Sequence, residues 1–310
     1  MKAVVFAKGP MGAEGLKALL RTDFEVTKVY VPGTDEDPAL PSAAELCREE
    51  GLPCADPGKL SDKELVDEVN SLSPDVVLNF GYSATLPGGI LEIPPQGVLR
   101  LHASVLPRFR GPAPTLRAIM EDAKKTGVSL HYMTSEPYAG DIVAAEEFLI
   151  EKQDNSRTLY ERQVEAAGRI LDRALPLLME GQSERNPQMP GEGDVIHEEV
   201  RPEEGRISWK KKRSWDVYNL VRALTRPGQG AFAFFMGEKM IIWRAMTDDT
   251  NFGLLHPGEI EVDEGRVLCG TSYGALRLEE IEWKGRLIEG AENIEKELSP
   301  HWREKFEVED

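Results

Sequence analysis

Residues 1–20 read MKAVVFAKGPMGAEGLKALL, and this stretch decides the fold class. Val4-Val5-Phe6 is an uncharged β-branched and aromatic run, the pattern of a strand buried on both faces. Gly9-Pro10-Met11-Gly12-Ala13-Glu14-Gly15 then turns the chain, and residues 12–20 predict a helix. The glycine spacing is not G-x-G-x-x-G, so it reads as a tight strand-to-helix turn rather than a nucleotide loop. Strand-like runs recur at 24–31 and 75–80, with a helical segment at 42–50 between them. Alternation of this kind calls for a doubly wound, mainly parallel sheet in an α/β domain, with right-handed crossovers and ligands at the carboxyl ends of its strands.

Further along, strands are predicted at 98–101, 128–133 and 142–150, and helices at 113–125 and 156–180, the latter behind an Asn155/Ser156 cap. From 186 to 204 the chain is rich in proline, glycine and acid, without periodicity. This divides it into an N-terminal domain at 1–185, a linker at 186–203 and a C-terminal domain at 204–310. The second domain predicts a helix at 214–224 and five short strands at 232–235, 239–243, 258–262, 266–269 and 275–282, the composition of a small open β-barrel of the OB-like kind. Residues 291–310 read as a surface helix with a frayed tail.

A chain of 310 residues with 41% hydrophobic content can bury a substantial core. Its net charge of −17 repels phosphate backbones and argues against a nucleic-acid partner. The basic run Lys210-Lys211-Lys212-Arg213 is local, since residues 204–310 carry 16 lysines and arginines against 20 acids. Cys47, Cys54 and Cys269 are odd in number and lack metal-type spacing. They predict a reduced, cytoplasmic protein without a metal. The first apolar run is too short for a signal peptide or a membrane span.

The chemistry concentrates in residues 100–111, RLHASVLPRFRG. His102 closes an apolar run at the expected carboxyl end of a central strand. Ser104, Arg108 and Arg110 follow it, and Pro107, Gly111 and Pro112 constrain or free the backbone. An imidazole there can donate or accept a proton, or stabilise an oxyanion.

The segment 102–111 resembles the H-[GA]-S-L-L-P-[RK]-x-R-G signature of formyltransferases that use 10-formyltetrahydrofolate. The resemblance extends to Met11-Gly12, to Thr126-Gly127-Val128-Ser129-Leu130-His131-Tyr132-Met133 and to Ala139-Gly140-Asp141-Ile142-Val143. It continues through Arg206-Ile207-Ser208-Trp209 and the run 217–225 in the second domain. It implies formyl transfer from 10-formyltetrahydrofolate, used as a co-substrate, to the amine of a small-molecule acceptor. A nucleotide-linked amino sugar is one candidate, and methionyl-tRNA is an alternative. The family places an asparagine two residues before the histidine and an aspartate two before the glycine of Ala139-Gly140. Those positions are Arg100 and Tyr138 here, so of the three only His102 matches the pattern.

The resemblance thus implies His102 polarising the formyl oxygen and Arg100 assisting the oxyanion or binding an acidic acceptor group. Tyr138 occupies the aspartate position, while Asp141 or Glu136 stands near enough in sequence to supply the missing carboxylate. Asp141 reads equally as a residue that holds its loop. The pterin would be gripped by the loop Phe80-Gly81-Tyr82-Ser83-Ala84-Thr85-Leu86-Pro87, and Met11, Ser104, Arg108 and Arg110 would shape the acceptor side. The two departures also leave open a catalytically impaired homologue that binds a ligand or partner.

Overall fold

The computed structural model describes residues 1–33, 42–189, 191, 195–248, 255–263, 265–301 and 304–308. The chain forms two compact units. The first comprises Met1–Pro114, Lys125–Leu149 and Tyr160–Glu198; the second comprises Thr115–Lys124, Ile150–Leu159 and Glu199–Asp310.

Along the chain come β1 (Lys2–Ala7), α1 (Gly9–Leu20), β2 (Glu25–Tyr30), α2 (Ala43–Glu49), β3 (Cys54–Ala55), α3 (Asp62–Leu72), β4 (Val76–Phe80) and β5 (Val98–His102). These are followed by α4 (Pro114–Met120), β6 (Lys125–Tyr132), β7 (Ile142–Leu149) and α5 (Ser156–Met179). The first unit's sheet runs β3-β2-β1-β4-β5-β6-β7. β1 to β5 are parallel, while β6 and β7 join antiparallel. Period-two alternation sorts β1 onto two cores. Ala3, Val5 and Ala7 face the core that holds α1 and α5, whereas Val4 and Phe6 face the one that holds Leu65 and Val69 of α3. Gly15 sets how closely α1 approaches the sheet, because a Cβ there would lie 2.3 Å from Phe80 Cδ2.

α3 is absent from the helices that hydrophobic periodicity predicts, although Ser61 and Glu64 cap it reciprocally. The same periodicity also carries α4 too far. The helix stops at Met120 because Asp122 turns left-handed at φ 52° and Ala123 N–H closes on Ala118 O. β6 therefore begins at Lys125. The stretch read as a linker forms two isolated bridges in its described part. Asn186 pairs with Ile142 and Ile196 with Arg110, and residues through Glu198 belong to the first unit. Residues 190 and 192–194 of that stretch lie outside the described ones.

The second unit contains α6 (Ser214–Ala223), β8 (Ala231–Phe235), β9 (Glu238–Asp248), β10 (Ile260–Asp263), β11 (Arg266–Gly270), β12 (Ala275–Trp283), β13 (Arg286–Glu289) and α7 (Ala291–Leu298). Its sheet is antiparallel, in the order β10-β11-β12-β9-β8 with β13 also on β12. The described residues thus give six strands where five were expected. β13 follows from Lys284 and Gly285, both at positive φ, which make a two-residue hairpin pairing Trp283 with Arg286. The expected frayed tail is overturned at Phe306, which is buried against Trp209 and Phe235; residues 302–303 and 309–310 lie outside the described ones. Leu116 and Met120 pack on this unit's core. Trp215 Nε1 donates to Asp122 Oδ1 at 2.8 Å, and Arg222 Nη1 donates to Asp154 O at 2.7 Å. No described helix is long and apolar enough to cross a membrane.

Candidate functional site

Register alone assembles the site. Arg100 on β5 lies opposite Asn79 of β4 on one side and His131 of β6 on the other. His102, two residues on, faces the same way. Asn79, Arg100, His102 and His131 therefore share one face of the sheet, near the carboxyl ends of its parallel strands, where such sheets place their ligands.

The loop after β5 is tied down from within. Ser104 Oγ donates to Arg108 O at 2.7 Å, and Ser129 Oγ donates to Ser104 O at 2.8 Å. Gln163 Nε2 donates to Ala103 O at 2.7 Å. The loop contains a cis Leu106–Pro107 bond, and Phe109 sits at φ 54°. The Phe109 carbonyl meets His102, whose Nε2 lies 3.0 Å from it. A carbonyl only accepts, so Nε2 carries the proton and donates. The resemblance implies that His102 polarises a formyl oxygen, but in this arrangement its distal N–H is already engaged. The ring is 3% exposed. Burial, opposed by the bond to Phe109 and assisted by His131 and Arg100, pushes its pKa down to about 3.

Around His102 the structure gathers Tyr138, with ring centroids 5.1 Å apart, and His131, edge-on at 6.3 Å. The Arg100 guanidinium lies over the Tyr138 ring at 5.3 Å, and burial lowers the pKa of Arg100 while Tyr138 opposes the shift. Tyr138 is left-handed at φ 60°, a conformation that costs a bulky residue about 1–2 kcal/mol. Gln188 restrains it. Its Nε2 donates to Tyr138 O at 2.8 Å and to Gly140 O at 2.7 Å, while its Oε1 accepts from Arg110 Nη2 at 2.8 Å. Gly140 admits no side chain, because a Cβ would lie 2.1 Å from Tyr132 O. Phe109 and Tyr138, two non-glycine residues in left-handed backbone, thus both touch His102, and strain of this kind concentrates at functional sites.

The other expected residues fall at varying distance from this cluster. Among the described residues no carboxylate is hydrogen bonded to His102. Glu136 is exposed, and Asp141 holds β6 through its carbonyl, which accepts from Tyr132 N at 2.9 Å. Arg110 is buried with its Nε unpartnered, whereas Arg108 is exposed and lies over Phe109. Ser104 is spent within its turn. Met11 is buried in the core. In the loop after β4, Phe80 is buried, Gly81 bridges Ala7, and Tyr82 packs on Phe6 with its N–H donating to Asn79 Oδ1 at 3.1 Å. Ser83, Ala84 and Thr85 are exposed, while Leu86 is buried beside half-buried Pro87.

Three residues of the cluster escaped the sequence reading as site members: Asn79, His131 and Gln188. Asn79 was the legible one, a lone amide in the otherwise apolar run Val76-Val77-Leu78-Asn79-Phe80. It is fully buried with Nδ2 unpartnered.

The sequence pattern of the formyl transferase family matches residues 1–175, and that of the formyl transferase C-terminal domain matches residues 199–297. Among solved structures, HypX from Aquifex aeolicus in complex with tetrahydrofolic acid aligns at TM-score 0.66 and 18% identity, over 97% of this chain and 48% of that one. This chain therefore spans about half the length of HypX. The N-formyltransferase from Helicobacter canadensis, solved with folinic acid and dTDP-3-aminofucose, aligns at TM-score 0.70 and 15% identity, over 90% and 99% of the two chains. Glycinamide ribonucleotide transformylase 1 from Symbiobacterium toebii aligns at TM-score 0.52 and 23% identity, over 62% and 94%.

Proposed function

Because the chain belongs to the formyl transferase family, we propose that it transfers the formyl group of 10-formyltetrahydrofolate to the amine of a small acceptor, with a nucleotide-linked amino sugar the leading candidate. The observation that carries this reading is the polar row Asn79–Arg100–His131 beside His102, set into an apolar sheet with Asn79 Nδ2 unsatisfied. A buried amide hydrogen without a partner is costly unless a ligand answers it. The formyl donor is a substrate here, consumed at each turnover, and its pterin would lie along the loop 80–87. The solved relative holding both folinic acid and an amino-sugar nucleotide supports the acceptor class.

Arg100 and Asn79 would supply hydrogen-bond donors for the charge that the reaction develops. When an amine adds to the formyl carbon, negative charge gathers on the formyl oxygen, and a guanidinium in a desolvated site is a strong partner for it. His102, neutral at physiological pH, packs against Tyr138 and braces the loop that carries Arg108 and Arg110 toward the acceptor side. Incubation with 10-formyltetrahydrofolate and a panel of amines, following release of tetrahydrofolate, tests the proposal. Turnover with an amino-sugar nucleotide is expected, and no release with any amine overturns it.

A second reading has one specific observation in its favour. Arg100 and Tyr138 pair with each other where the family pattern has asparagine and aspartate, which suits a homologue that binds folate or sugar nucleotide without turning it over. Saturable binding in a titration, with no product over many hours, identifies that case.

A further inference from the structure

His131 is buried to 1% exposure, and its two ring nitrogens are in opposite situations. Nδ1 lies 2.8 Å from Tyr132 O. Since that carbonyl only accepts, Nδ1 carries the hydrogen and Nε2 presents a lone pair. Nε2 is buried and has no partner. His102 is wired the other way round, with its distal Nε2–H committed to Phe109 O, which leaves only the proximal nitrogen beside its own backbone. Of the two imidazoles, His131 alone extends a free distal lone pair away from the sheet. It stands directly opposite Arg100 in register and edge-on to His102, and among the described residues no carboxylate joins the His102 ring.

We propose that His131 Nε2 is the proton acceptor of this site, taking the place of the carboxylate that the family pattern puts at position 138. The inference rests on the formyl-transfer reading. The acceptor nitrogen bonds to the formyl carbon, the carbonyl electrons move onto oxygen beside Arg100, and the nitrogen becomes cationic. His131 Nε2 takes one proton from it. As the oxyanion collapses, the bond from the formyl carbon to the folate nitrogen breaks, and that nitrogen recovers the proton from His131. The products are the formamide and tetrahydrofolate, and His131 is neutral again.

The surroundings keep the lone pair available. Burial, opposed by the bond to Tyr132 and assisted by Arg100 and Arg110, pushes the pKa of His131 down to about 4, so the ring is unprotonated at neutral pH.

His131→Asn separates the two nitrogens, because an asparagine amide retains the N–H toward Tyr132 O and removes the distal lone pair. With formyl donor and the best amine acceptor, kcat of the variant is expected to fall about 100-fold or more. Both KM values should stay within about threefold, as for a group acting on the transition state. Tetrahydrofolate binding by titration should be retained. Wild-type turnover matched by the variant overturns the role of His131 and leaves the formyl-transfer reading standing, whereas a wild type inactive with every amine overturns both. A measurement on the wild-type protein guards against a variant that does not fold. Imidazole nitrogen NMR should find His131 protonated at Nδ1 and bare at Nε2, and the reverse tautomer overturns the inference.

Discussion

Arg100 occupies the centre of the polar row, with Asn79 on one side and His131 on the other, and its charge is the most consequential single substitution in the site. Its surroundings are desolvated and its guanidinium lies on the Tyr138 ring. Replacing Arg100 with methionine retains most of the packing volume and removes the charge. Formyl transfer in the variant is expected to drop by about 10²-fold in kcat, the usual effect of deleting one preorganised oxyanion donor, and single-turnover kinetics will measure it. This scale also shows what sequence reading reaches. His102 was legible because a proline, two arginines and a glycine follow it in one loop. His131 was not, since a histidine inside Val128-Ser129-Leu130-His131-Tyr132 looks like any strand residue until register sets it opposite Arg100. Nor was the commitment of the His102 N–H to Phe109, which depends on a left-handed backbone at Phe109 that no residue type there announces.

Local signals and tertiary ones diverge at the level of helices and strands. α1, β1, β4 and α5 follow directly from hydrophobic periodicity. α3 follows only from its cap, since its buried residues are as few as Leu65 and Val69 and five of its 11 residues are charged. That makes the cap a measurable part of its stability. Ser61→Ala removes the hydroxyl's bonds with Glu64 while leaving the Ser61 backbone N–H on Glu64 Oε2, and is expected to cost about 1 kcal/mol. In a unit of this size that corresponds to a fall of about 2–4 °C in Tm, readable by calorimetry. β13 is the contrary case. Lys284-Gly285 is an ordinary hairpin turn, but the strand beyond it has only four residues, Arg286–Glu289, and places a single side chain, Ile288, in the core. Too little alternation survives in so short a segment to mark it.

The whole molecule feels the two buried histidines through its stability against acid. In the unfolded chain each titrates near 6.5, and in the folded protein His102 and His131 fall to about 3 and about 4. Above pH 6.5 both states leave the rings neutral, and this contribution is fully present. Below it the unfolded chain takes up protons that the folded one refuses, so stability declines as pH falls from 6.5 toward 4. Denaturant unfolding at a series of pH values should show this decline, and a His102→Gln/His131→Asn double variant should flatten it.

The division into units has a further effect. The chain passes between them at 114, 124, 149, 159 and 198, so the ribbons 115–124 and 150–159 belong to a core whose remainder begins only at 199. Expressed by itself, a fragment of residues 1–198 should expose Leu116 and Met120 and self-associate, which size-exclusion chromatography will detect against the 310-residue chain. The ribosome meets the same constraint in time. The seven strands of the first sheet have all emerged well before β8 is made, yet two short ribbons must stay unpaired until residues from 199 onward are made. Translation speed from residue 199 onward therefore sets how long Leu116 and Met120 are within reach of chaperones.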